Sequence, residues 1–312
     1  MTKIVISEFM DEAAVENLQT QFDVIFDTNL VDNRSSLLEA VVDADAIIVR
    51  NRTQVDVELL AAAPRLKAVG RLGVGLDNID LKACDAQGVA VKPAHGGNGS
   101  SVAEYVLTGI LMLRRNAYFS SQPMLAGEWP RQALIGREAS GSTLGLVGFG
   151  AIARETARRA LALDMKVVAF DPHLAADAPE WAGVERHESL DSLLAVADSV
   201  SLHVPLTDET RHLIDDAALN RMKPGAILIN AARGGIVDEV ALAAALREDR
   251  LAGALLDVFE QEPLPGGSAL GGVPNLILTP HIAGVTEESN ARISQMTADN
   301  VRDVLAHAGV SA

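Results

Sequence analysis

A single cysteine, Cys84, in 312 residues excludes an intramolecular disulfide and any metal site assembled from several thiolates. It lies in the helix-like stretch "DLKACDAQG", where packing is the expected role, and the reducing cytoplasm is the matching compartment. No metal ion is expected. Long apolar runs are missing too: nothing approaches the roughly 18 uninterrupted apolar residues of a membrane span. The start, "MTKIVISEFMDEAAVENL", turns acidic early and lacks the apolar region and cleavage site of a signal peptide, so it reads as a first strand and helix. Basic residues are scarce, 26 Lys and Arg against 42 Asp and Glu, a formal net charge of −16. That balance argues against nucleic acid or an anionic membrane as partner. It also means that the overall field repels an anionic substrate, so a site for one must be built from local positive charge.

What is present is an ordinary globular composition, 48% hydrophobic and 22% charged, over a length that suits two domains better than one core. Short β-branched runs alternate with helix-length segments almost throughout. The expected strands are 3–6, 24–26, 46–49, 66–71 and 89–92, then 143–147, 167–170, 199–204, 226–230, 253–257 and 276–278. Several, such as "GAILIN" and "DAIIVR", are apolar on both parities, as strands buried on both faces of a parallel sheet must be. The fold class is therefore α/β, doubly wound. A glycine fingerprint falls near residue 148, so about 100 residues before it form a domain of their own. The loop "PAHGGNGSS" is the expected crossover, with Ser100 or Ser101 capping the apolar helix that follows. A last helix, from about Thr286 to His307, is expected to return to the first domain.

The segment "STLGLVGFGAIARETARRALALDMKVVAFDP" is a strand, a glycine turn, a helix, a strand and a terminal acid. Gly148 allows the tight turn, Gly150 lets backbone approach a pyrophosphate, and the helix opening at Ala151 points its amides at that phosphate. Ala153 stands where a third glycine is usual. Asp171 follows Gly148 by 23 residues, where a carboxylate accepts the adenosine ribose hydroxyls and repels a 2′-phosphate; the expected cofactor is NAD, not NADP. Downstream, three residues stand just past strand ends or in the loops that follow: Arg233 in "LINAARGGIVDE", Glu262 in "LLDVFEQEPLP" after Asp257, and His281 in "LILTPHIAG". Open α/β sheets bind ligands at the carboxyl ends of their strands, and this trio suits hydride transfer to a 2-keto acid. Arg233 would fork onto the substrate carboxylate and polarise the carbonyl, His281 would exchange the proton, and Glu262 would hold the imidazole.

On "GLVGFGAIA", "MKPGAILINAARGGIVDE", "AGALLDVFEQEP" and "TPHIAG" the chain resembles the D-isomer-specific 2-hydroxyacid dehydrogenase family over nearly its whole length. The resemblance implies a flavodoxin-like substrate domain, 1–98 plus 285–312, into which a Rossmann NAD domain, 99–284, is inserted. It implies a homodimer formed largely through the NAD domains, and the roles of Arg233, Glu262 and His281 argued above. It places the turn through Gly148, Gly150, Ala151 and Ile152, with Asp171, on pyrophosphate and ribose. His203, Val204 and Pro205 would line the adenosine side, with Asp257 and the Ala231 carbonyl near the nicotinamide amide. Glu262, and the lack of a long N-terminal extension, fit a formate dehydrogenase poorly. The same fold also serves NAD-sensing corepressors, whose extended tails are not expected here.

The loop "VGRLGVGLDNID" resembles the family's substrate loop, in which amides near Val74 and Gly75 cradle the carboxylate as an anion nest. With "IIVRNRTQV" it looks most like the phosphoglycerate dehydrogenase branch, where arginines matching Arg50 and Arg71 bind the distal phosphate. Arg50 and Arg52 would share a face if their strand continued. Arg131, in "GEWPRQ", matches a residue that the family contributes from the partner subunit. That branch typically carries a serine hydroxyl where "HIAGVT" has Val285, and "HIAGVTEESN" is similar to sulfolactate dehydrogenases. A sulfonate is smaller than a phosphate and singly charged, so fewer donors suffice for it. The expectation is an anion-tailed 2-hydroxy acid, 3-sulfolactate ahead of 3-phosphoglycerate, with a glyoxylate/hydroxypyruvate-type reductase as the alternative.

Overall fold

Strands and helices alternate from the first residues of the computed structural model, which describes residues 1–308. The chain divides into two compact units, Met1–Asn98 with Val285–Ala312, and Gly99–Gly284. The first carries a five-stranded sheet of β1 (Lys3–Ile6), β2 (Asp23–Phe26), β3 (Ala46–Val49), β4 (Ala68–Arg71) and β5 (Ala90–Pro93), all parallel, in the order β2-β1-β3-β4-β5. Alternate residues of its central strands feed two cores. Ile4, Ile6 and Ile48 pack with Leu18 and Val301, while Val5, Ile47 and Val69 pack with Leu37 and Leu59. The helix Glu287–His307 lies on the first of these cores. It opens on a capping box between Thr286 and Ser289, which satisfies two of the amides a helix start leaves over.

The second unit holds β6 (Thr143–Val147), β7 (Lys166–Phe170), β8 (Glu185–Arg186), β9 (Ser199–Leu202), β10 (Ala226–Asn230), β11 (Leu251–Leu256) and β12 (Leu276–Leu278). Again all are parallel, in the order β12-β11-β10-β9-β6-β7-β8. The helix Gly99–Arg115 buries Val106 and Ile110 against Ile229 and Leu255 of the sheet. It begins at Gly99, so Ser100 and Ser101 lie inside its first turn and neither is the cap expected from sequence. β4 starts at Ala68 and not at 66, because Leu66 still closes a turn onto the Ala63 carbonyl. The two-residue β8 has no sequence signature, being short and charged.

Each sheet has a point where the strand order reverses, which is where such sheets bind ligands. In the first unit it lies between β1 and β3, in the second between β6 and β9. No helix among the described residues is long and apolar enough to cross a membrane, and no cluster of His, Cys, Asp and Glu among them could hold a metal ion.

Candidate active site

At the reversal point of the second unit, Gly148 leaves β6 with a φ of +85°. A Cβ there would stand 2.6 Å from the carbonyl oxygen of His203, just past β9, so glycine is what lets the two strand ends approach. Gly150 differs, since among the described residues, its two chain neighbours aside, nothing comes within 4 Å of where its Cβ would be. It caps the helix Ala151–Ala162, and that N-cap makes no side-chain hydrogen bond. Open space beside uncapped amides is the cradle a pyrophosphate needs. Ile152 is half-buried in the first turn, while Ala153 is fully buried in the core, which accounts for its small side chain. Asp171 is tied to the same turn: Oδ2 accepts the Phe149 N–H at 2.8 Å and Oδ1 the His173 N–H at 2.9 Å. Each oxygen keeps a lone pair for a ribose hydroxyl. Burial pushes the His203 imidazole down to about 4, and its Nε2 lies 3.0 Å from Ser201 Oγ. Val204 is half-buried and Pro205 exposed beside it. These residues fit a dinucleotide.

The segments that follow the adjacent strands β10, β11 and β12 carry the three residues expected to react, Arg233, Glu262 and His281. Asn230, buried at the end of β10, donates from Nδ2 to the Arg233 carbonyl at 2.9 Å, and its Oδ1 accepts the Ala232 N–H at 3.1 Å. The loop through Ala231 is thus wrapped around one amide, with Arg233 half-buried and its Nη1 donating to the Ala232 carbonyl at 2.6 Å. A Cβ on Gly234 would stand 1.7 Å from the Phe259 carbonyl oxygen, so the Arg233 loop can lie against the Glu262 loop only because that residue is glycine. Glu262 accepts the Phe259 N–H on Oε1 at 3.0 Å and holds His281 Nδ1 on Oε2 at 2.8 Å. His281 Nε2 has no hydrogen-bond partner among the described residues.

Asp257 sets the histidine's loop. Its backbone carbonyl accepts the His281 N–H at 2.8 Å. Its buried carboxylate accepts the Thr279 hydroxyl at 2.6 Å and the Ile282 and Ala283 N–H groups at 2.8 Å each. Thr279 also meets the Tyr105 hydroxyl, and burial pushes that phenol up to about 12. A carboxylate–imidazole pair and a guanidinium past a neighbouring strand end are the groups that general acid–base chemistry on a carboxylate-bearing carbonyl compound would need. Asn230 escaped the sequence reading; its signal is a polar residue closing an otherwise apolar strand.

In the first unit, β3 stops at Val49, so the condition under which Arg50 and Arg52 would share a strand face is not met. Glu8, buried just past β1, takes the amides that would have continued the strand: Oε1 accepts the Arg50 N–H at 2.9 Å and the Thr53 N–H at 3.0 Å, and Oε2 the Arg52 N–H at 3.2 Å. The arginines diverge from there. Arg50 is half-buried and reaches Asn290, whereas Arg52 is exposed and pairs with Asp32. Arg71 closes β4 and folds back, its Nη1 donating to the Leu72 carbonyl at 2.7 Å. Val74 and Gly75 are half-buried in the loop that follows. Neither Glu8 nor Asn290 was marked by sequence, since an acid after a strand reads as a surface turn.

Residues 107–283 match the NAD binding domain of the D-isomer specific 2-hydroxyacid dehydrogenases. Over 305 residues, 98% of this chain and 99% of the relative, the sequence is 64% identical to the (S)-sulfolactate dehydrogenase of Chromohalobacter salexigens. It is 38% identical over 305 residues to the D-3-phosphoglycerate dehydrogenase of Methanocaldococcus jannaschii, covering 98% of this chain but 58% of that protein. A crystal structure of a Thermus thermophilus protein superposes with a TM-score of 0.88 at 34% identity, covering 98% of this chain and 97% of that one.

Proposed function

The chain belongs to the D-isomer specific 2-hydroxyacid dehydrogenase family, whose members are NAD-dependent oxidoreductases, and on that footing we propose that it oxidises and forms a small anion-tailed 2-hydroxy acid, 3-sulfolactate ahead of 3-phosphoglycerate. The Glu262–His281 pair at 2.8 Å, mounted on strand ends of the NAD-binding unit, is the observation that carries the chemistry. NAD, held by the turn through Gly148 and Gly150 and by Asp171, would supply the hydride acceptor for C2 of the hydroxy acid and, reduced, the hydride donor for the keto acid. His281 Nε2 takes the hydroxyl proton during oxidation and gives it back during reduction. The Glu262 carboxylate on Nδ1 stabilises the imidazolium between those events. Arg233 forks onto the substrate carboxylate and draws charge from the reacting oxygen.

The first unit serves as the substrate domain. Amides near Val74 and Gly75 take the carboxylate, and Arg50 and Arg71 take the tail, with Arg52 at the margin. The 64% identity to a sulfolactate dehydrogenase supports the sulfonate, as does Val285 in place of a hydroxyl. Asp171 beside the glycine turn favours NAD over NADP. The exposed side chains of Tyr118, Phe119, Leu125, Trp129 and Ile135 support a homodimer built on this part of the NAD domain, with Arg131 facing the partner. The free, buried Cys84 agrees with the cytoplasm.

One spectrophotometric panel tests the reading: NADH formation with sulfolactate, 3-phosphoglycerate, glycerate and lactate, each also offered with NADP. Sulfolactate with NAD is expected to give the highest kcat/KM. Preference for glycerate would move the assignment to a hydroxypyruvate-type reductase, and turnover with none would end it.

A further inference from the structure

Acids outnumber bases in this chain, and many of its arginines sit against a carboxylate. Arg34 pairs with Asp56 and Glu58, Arg52 with Asp32, Arg65 with Asp45, and Arg250 with Asp216 and Glu248. Arg50, at the strand-order reversal of the first unit, is not one of these. No carboxylate among the described residues comes within ion-pair distance of its guanidinium. Its Nη2 donates instead to Asn290 Oδ1 at 3.0 Å, and its Cζ lies 5.8 Å from the centroid of the Phe9 ring. The acid whose charge acts on it is Glu8, whose two oxygens hold the backbone amides of residues 50, 52 and 53. Burial lowers the Arg50 pKa while the Glu8 charge opposes that shift, so the guanidinium is partly desolvated and keeps its charge.

A guanidinium can only donate, so the Asn290 amide has to turn its oxygen toward Arg50. That leaves the two N–H groups of Nδ2, which have no partner among the described residues. We infer that Asn290 is a specificity-determining residue for the acid's tail: its Oδ1 orients Arg50, and its Nδ2 donates to the same oxyanion that the guanidinium receives. A neutral amide adds donors without adding charge, which suits a singly charged sulfonate. Phe9 covers one face of the guanidinium and narrows the directions from which the anion can approach. This inference rests on the anion-tail reading proposed above.

Asn290→Asp changes little in volume but sets a carboxylate against the guanidinium and removes the donor. It is expected to raise KM for sulfolactate about tenfold or more with kcat within about twofold, the loss of one charge-assisted contact. Asn290→Ala, which adds no charge, is expected to raise KM by a smaller factor, about three to five. The sulfolactate-over-glycerate ratio in kcat/KM should fall by the same factors. Thermal unfolding of both variants checks that folding is intact, and the alanine variant serves if the aspartate one fails to fold. Unchanged KM values, or losses in kcat and in both substrates alike, would overturn the role of Asn290. Arg50→Ala separates the two layers. If it abolishes the preference while the Asn290 variants do not, only this inference fails; if it leaves the preference unchanged, the anion-tail reading fails with it.

Discussion

His281 reaches its place with a φ of +54°, a conformation uncommon for a residue with a side chain, and its N–H closes onto the Asp257 carbonyl. The ring is then fixed at Nδ1 by Glu262, so Nε2 is the nitrogen left for the proposed proton transfer. His281→Gln is expected to lower kcat by about 10²- to 10⁴-fold, the usual worth of a positioned acid–base group. Glu262→Gln, which can still meet Nδ1 but offers no charge to the imidazolium, should lose less. NADH affinity, read by fluorescence titration, should stay within about twofold in both, because neither residue touches the glycine turn. A comparable loss of NADH binding would show that the pair supports the fold of the site and not the proton transfer. Arg233, Glu262 and His281 could be singled out as candidates because each lies in the segment that follows an apolar strand. Glu8 and Asn290 were not, for a physical reason: one works through backbone amides, and the other meets its partner across 240 residues of sequence.

At the level of elements, the parallel sheets could be read because their strands are apolar on both parities. Nothing local could reveal that β3 stops where Glu8 takes over its amides. The juxtaposition of the β6 and β9 ends is likewise a tertiary fact, and it puts His203 against the glycine turn. With its pKa held down at about 4 by burial, this imidazole refuses a proton that the unfolded chain accepts near 6.5. The unfolded state therefore binds more protons between about 6.5 and 4, and stability falls as pH drops through that window. His203→Gln should flatten this part of the profile. Urea midpoints of the parent and the variant, compared at pH values inside and above the window, measure the difference; parallel curves would refute the assignment.

For the whole molecule, net charge is plain from composition, whereas the places where apolar surface remains are not. Tyr118, Leu125, Trp129 and Ile135 look like ordinary core residues in sequence, yet they are 62%, 83%, 71% and 71% exposed. Replacing Leu125 with Glu and Trp129 with Ser is expected to convert the proposed dimer to monomer, seen as a halved mass in light scattering after gel filtration. A parent protein that is already monomeric would dismiss the dimer.

The placement of Glu8, Asp171 and Asp257 matters for anyone re-engineering this chain. Surface-charge redesign for expression or crystallisation would naturally start by trimming so large an excess of carboxylates. These three hold backbone amides at loops that follow β1, β7 and β11, and none forms a hydrogen bond to a basic side chain among the described residues. Exchanging any of them for a neutral residue would strip a loop of its anchor while scarcely altering the isoelectric point, so a redesign should draw its changes from the solvent-facing acids alone.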